Sequence, residues 1–164
     1  MTDNTATFKF KPNLKKRIYT TLLDYGLFFI VCYVYVMFFG RDNDEGGRTV
    51  EGFLFLPIPV VWFIYFVIIE AYYGATLAHQ GFNLKVQSLQ RRKIEFGQAL
   101  KRHLLDPLDI LFYGIPAIIS IKNSDKHQRI GDMWAKTFVV DITDPEQNFD
   151  KQTTVINDRK KTII

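Results

Sequence analysis

The sequence predicts an all-α membrane protein: two transmembrane helices, a re-entrant or third transmembrane helical segment, and a small cytoplasmic β-strand pair. Three observations carry this prediction. Apolar residues make up 48% of the 164-residue chain and are gathered into three blocks. Two of those blocks have about the 20 residues that a helix rising 1.5 Å per residue needs to cross a bilayer core. The Lys and Arg residues crowd one side of the blocks, as the positive-inside rule requires.

Residues 1–13 read as a disordered basic lead, with Lys9, Lys11 and Pro12. The membrane domain spans residues 14–142, and its first crossing is Ile18 to Phe39. That block is too long for the apolar core of a signal peptide and has no small-x-small cleavage site behind it, so it reads as a retained span. Gly40 to Gly52 (GRDNDEGGRTVEG) is a turn-rich connector. The second crossing runs from Phe53 to Tyr73. Pro57 and Pro59 fall in its first turns, where missing backbone donors matter least.

Five basic residues, Lys9, Lys11, Lys15, Lys16 and Arg17, precede the first span, while the connector has Arg41 and Arg48 against four acids. The N-terminus is therefore expected to be cytoplasmic, with the chain returning inside after Tyr73. There, Phe82, Leu84 and Val86 alternate with polar residues at strand period. Phe96, Ala99, Leu100, His103 and Leu104 recur at helical spacing and predict an amphipathic helix at the inner interface.

The third block, Leu104 to Ile121, is short and carries Asp106, Pro107, Asp109, Gly114 and Pro116. A true crossing would strand Lys122, Lys126, Arg129 and Lys136 outside, and would separate the β-branched run 137–142 from the Phe82–Leu89 strand. Both arguments favour a re-entrant hairpin broken near Gly114-Ile115-Pro116, with a third span as the alternative. Residues 143–164 read as a disordered tail.

Candidate functional residues come from charge in the wrong solvent. Asp24 lies inside the first span, Glu70 in the last turn of the second, and Asp109 in the embedded block. A carboxyl in hydrocarbon costs at least ~2.5 kcal/mol and needs a partner or a purpose. Arg17, two turns before Asp24 on nearly the same face, is the expected companion. Asp106 and Asp109 share a helix face, with Arg102 four residues before Asp106. Arg129 completes the set of guanidiniums that can reach this layer.

These residues resemble those of the RDD family of small membrane proteins, named for one arginine and two aspartates. The resemblance rests on RIYTTLLD at the first span and on QRIGDMWAKTFVV late in the chain, and covers about Leu14–Val140. It implies that Arg17 is the family arginine, Asp24 the first aspartate and Asp132 the second. Behind the second helix, Gly74-Ala75-Thr76-Leu77 also resembles the family pattern. The family then usually continues Gly-Lys, whereas this chain has Ala78-His79. The resemblance implies a multi-pass protein of the bacterial plasma membrane, associated with transport but without an agreed ligand or enzymatic chemistry.

Ion or proton handling by the carboxylates stands beside a second reading, a non-transporting assembly subunit held by an Arg–Asp clasp. The expected partners are the lipid bilayer, its anionic headgroups, and a second copy or another membrane protein. Basic residues flank spans instead of forming a soluble face, which argues against nucleic acid. No nucleophile–base pair, phosphate loop or nucleotide fingerprint appears, so neither an enzyme nor a cofactor is expected. His79, His103 and His127 match no metal-ligand spacing, and Cys32 is the only cysteine.

Overall fold

The computed structural model describes residues 8–44 and 46–148. Two of its helices are long and apolar enough to cross a membrane, Leu14–Phe39 (α1) and Gly52–Tyr73 (α2). Helix α1 is inside-out relative to a helix of a soluble protein. Its only buried residues are Arg17, Thr20 and Asp24, which share one face, while Leu22, Leu23, Phe29 and Ile30 point outward. Apolar side chains outward and polar ones toward the protein interior is the arrangement a lipid solvent selects.

After α1 the chain turns through an antiparallel two-residue ribbon, β1 (Arg41–Asp42) and β2 (Arg48–Thr49). Helix α2 starts with a tight 3-10 turn, Gly52–Phe55, and takes Pro57 into the first turn of its α-helical part. At mid-span it widens into a π-helical segment, Phe63–Ile68, a distortion that re-aims side chains and recurs at functional sites. It directs the Tyr65 hydroxyl to Asp24 and stacks Phe66 on Tyr25, with ring centroids 4.7 Å apart. The helix ends at Gly74, whose φ of 77° permits the left-handed turn that closes its N–H onto the Glu70 carbonyl at 2.7 Å.

The remaining elements are short and packed under the end of α2. They are α3 (Leu77–Gly81), β3 (Leu84–Ser88), α4 (Phe96–Leu104), α5 (Asp106–Asn123), α6 (Ile130–Ala135) and β4 (Thr137–Asp141). β3 and β4 pair antiparallel, from Leu84 opposite Asp141 to Ser88 opposite Thr137. Val67 of α2, Leu84 and Val86 of β3, Ile94, Ala99 of α4 and Val139 of β4 form the apolar core. The two strands bracket α4, α5 and α6, so the chain leaves and returns at one place. The sequence predicts a hairpin broken near Gly114; the structure keeps α5 as one helix, with left-handed φ of 50°, 60° and 82° at Phe112, Tyr113 and Gly114, just before Pro116. Two non-glycine residues in left-handed geometry cost roughly 1–2 kcal/mol each.

Within the lead (1–13) and tail (143–164) read from sequence as disordered, the described residues 8–13 and 143–148 make specific contacts. The rings of Phe8 and Phe10 meet Phe138 edge-on at 5.8 and 5.2 Å. Lys11 pairs with Asp144 at 2.5 Å, Lys16 with Asp141, and the Asn13 amide donates to Gln147 at 2.8 Å. The lead's two phenylalanines find an apolar seat on β4, and its Lys11 finds acids that follow that strand. The rest of the lead and tail, residues 1–7 and 149–164, lie outside the described residues.

Gly131 marks the closest helix approach. A Cβ there would lie 2.5 Å from the Arg102 carbonyl oxygen, whereas one at Gly97 of α4 would meet nothing within 4 Å. Gly131→Ala is therefore expected to lower the melting temperature in detergent through a backbone collision. Gly97→Ala should leave it equal or slightly higher, since alanine in a helix gains roughly 0.5–1 kcal/mol over glycine.

Candidate functional site

Five buried carboxylates gather where α1, α2, α3, α4, α5 and α6 converge: Asp24, Glu70, Asp106, Asp109 and Asp132. Three guanidiniums and two imidazoles face them. Asp132, 0% exposed at the start of α6, is the hub. It accepts from Arg17 Nη2 at 2.6 Å, from Arg102 Nη1, and from Arg129 Nε at 3.3 Å. The Arg129 backbone N–H, at 3.2 Å, adds a helix-capping bond to the same carboxylate.

The other guanidinium contacts radiate from this hub. Arg102 also donates through Nε to Glu70 at 2.8 Å, tying α4 to the end of α2. Arg129 places Nη1 2.9 Å from Asp106. Arg17 spends its remaining Nη1 on the His127 carbonyl at 2.8 Å. Asp109 accepts the N–H groups of Ile130 and Gly131 at 3.0 and 3.1 Å, holding α5 to the first turn of α6.

Asp24 forms a second centre, and its partner differs from the one the sequence suggested. Arg17 binds Asp132; the basic companion of Asp24 is His79, with Nδ1 3.0 Å from Oδ2. Residues seven apart on a helix share a face but stand about 10 Å apart along its axis, and Asp132 lies nearer the guanidinium. Asp24, only 2% exposed, also accepts from Tyr65 Oη at 2.6 Å, Thr76 Oγ1 at 2.5 Å and the Ala78 backbone N–H at 3.1 Å. The span residue is thus held by the turn that follows α2. Arg102 likewise bypasses Asp106, its i+4 neighbour, because Glu70 and Asp132 flank it from outside its own helix.

A third centre surrounds His103. Its Nδ1 lies 2.7 Å from Asp106 and its Nε2 3.2 Å from Glu70. Tyr25 Oη donates to Asp106 at 2.6 Å, binding α1 to α5. The structure therefore brings together every candidate from sequence, Arg17, Asp24, Glu70, Arg102, Asp106, Asp109, Arg129 and Asp132, and adds His79 and His103. The i,i+3 spacing of His103 and Asp106 was a legible sign of their pairing. The sign for His79 was its position where the family usually has lysine.

Environment separates the two imidazoles. Burial opposes charge on His103, but the carboxylates of Glu70 and then Asp106 outweigh it and push its pKa up to about 9. Burial holds His79 below its ordinary value, against the pull of Asp24. Burial likewise opposes charge on Asp132, yet Arg102, Arg17 and Arg129 hold its carboxyl well below the usual range.

A mostly helical chain with two apolar helices of spanning length and a buried ion-pair network at their ends is a membrane-type protein. The RDD family model matches residues 11–136, most of the chain, and the protein belongs to that family. No curated protein matches the chain, and no solved structure does.

The two histidines make stability depend on pH in opposite directions. His103, raised from 6.5 to about 9, contributes fully below pH 6.5, and that contribution, of order 3 kcal/mol, is lost as pH rises through 9. His79, lowered, contributes above pH 6.5 and loses that contribution as pH falls. Melting in detergent should therefore be highest near pH 6.5. His103→Gln should flatten the alkaline decline and His79→Gln the acid one.

Proposed function

We propose that this RDD protein is a non-enzymatic, proton- or cation-handling membrane component. In this reading the Arg–Asp lattice is a fixed clasp, and the carboxylates in excess of it carry exchangeable charge. One observation carries the proposal: five buried carboxylates face only three guanidiniums, a difference of two. A site built only to pin helices needs no surplus of buried negative charge, because each unpaired ion in low dielectric costs several kcal/mol. Asp24 has a histidine, His79, in place of a guanidinium, and Glu70 and Asp106, each also bound by an arginine, share His103.

In the same reading, the block around α5 is a re-entrant segment, since its flanking strands pair on one side. The N-terminal side is cytoplasmic. Arg92, Lys93 and Lys101 face anionic headgroups of the inner leaflet, beside Tyr72 and Trp134. The outward apolar face of α1 meets lipid or a second copy, and a complete path across the membrane forms between copies.

The saturation of Asp132 by three guanidiniums favours the assembly-subunit reading as the second choice. Flux separates the two. Full-length protein in phosphatidylethanolamine–phosphatidylglycerol vesicles should collapse an imposed pH gradient faster than empty vesicles do. Asp24→Asn should slow that collapse at least ~10-fold while the protein still melts cooperatively. Wild-type vesicles as tight as empty ones would overturn the proposal in favour of an assembly subunit.

A further inference from the structure

Three cavities adjoin one another at the carboxylate cluster, sharing lining residues. A cleft of about 290 Å³ opens between the first half of α1 and α5. Its inner wall holds Thr21, His79, Arg102 and Arg129, and the same four residues line a small interior void. That void measures about 10 Å³, room for one water-sized sphere. Tyr25, His103 and Asp106 line its other side and also bound a third cavity, about 340 Å³, beside Trp62 in the middle of α2.

The central void is polar, and two buried atoms on its walls lack an aligned hydrogen bond, His103 Nε2 and Asp106 Oδ1. Both lie at ion-pair distance from a charged neighbour, Glu70 and Arg129 respectively, but neither contact is aligned as a hydrogen bond. Buried polar atoms short of aligned hydrogen bonds beside a water-sized void are a mark of an internal water site.

We infer that the void is a binding site for a single water, and that this water joins the His103–Glu70–Asp106 group to the His79–Asp24 pair as a proton relay. The water accepts the proton of His103 Nε2–H as it releases another to the His79–Asp24 pair. Only N–H and O–H bonds change, and no charge beyond the proton moves. The titratable and charged groups facing the void are Asp24 and Tyr25 from α1, Glu70 from α2, His79 from α3, Arg102 and His103 from α4, Asp106 from α5 and Arg129 before α6. The guanidiniums stay charged throughout, so the exchangeable protons lie on the two imidazoles, their carboxylates and the Tyr25 hydroxyl that donates to Asp106. The opposite displacements of the two imidazoles' proton affinities set a direction for the proton at rest, on His103. The relay leads from the α1–α5 cleft toward the middle of the span, which makes it one half of a path.

This inference rests on the proton-handling reading for its purpose but not for its detection. Thr21 lines both the cleft and the void, and Thr21→Leu puts a larger apolar side chain there without removing a charge. In full-length, ¹⁵N-histidine-labelled protein in nanodiscs, an exchange cross-peak between water and His103 Nε2–H is expected in the wild type and lost in Thr21→Leu. No such cross-peak in the wild type, or one unchanged by Thr21→Leu in a variant that still melts cooperatively, overturns the water site, whether or not the protein carries flux. In the vesicle assay, Thr21→Leu and His103→Gln should each cut the proton rate at least ~10-fold. Wild-type flux that both variants leave intact overturns the relay while leaving proton handling standing.

Discussion

The architecture depends on one carboxylate, Asp132, shared by three arginines that arrive from different parts of the chain. Arg17 comes from the start of the first span, Arg102 from the amphipathic helix, and Arg129 from the turn before Asp132 itself. Their side chains are 7%, 2% and 12% exposed, so little water competes with the acid. Removing one member of a buried pair costs ~3–5 kcal/mol, because the survivor is left charged in low dielectric. The hub therefore does for this protein what an apolar core does for a soluble one. It fixes the position of α1, which otherwise buries only Thr20 and Asp24.

That constraint explains why polar residues, not apolar ones, specify how the helices meet. Lipid is as apolar as leucine, so burying leucine between spans gains little. Hydrogen bonds with direction gain more. Asp24 is held by groups from α2 and the following turn, Asp106 by Tyr25 of α1, and Asp109 by the backbone of α6. Each carboxylate joins elements that are distant in sequence. The cost of such a lattice is surplus negative charge, and the carboxylates of Glu70 and Asp106 answer it by raising the proton affinity of His103. In the function proposed above, the structural clasp and the proton-handling centre are one set of atoms.

Much of this was legible in the sequence, and the failures have a common cause. The spans follow from apolar run length, which a bilayer sets directly. The amphipathic helix follows from the spacing of Phe96, Ala99, Leu100 and His103. All the candidate site residues enter the cluster: a charge in or beside an apolar run is anomalous on its own terms, and Asp132 came from the family resemblance. Apart from His103 with Asp106, the pairings are not legible in spacing alone. Arg17 and Asp24 share a face, yet a two-turn offset leaves each free for partners on other elements. His79 was weighed only as a metal ligand, and no spacing rule joins it to an aspartate 55 residues earlier. The lead of residues 8–13 was read from its lysines alone, while Phe8 and Phe10 supplied the apolar contact that docks it.

The most direct test of the shared hub is a double-mutant cycle in detergent, pairing Asp132→Asn with Arg17→Gln and, separately, with Arg102→Gln. If Asp132 holds both guanidiniums, each cycle should give a coupling energy of at least ~1.5 kcal/mol, with the double variant more stable than the sum of its single changes. Losses that simply add would mean that Asp132 and these arginines act independently, and would contradict the hub.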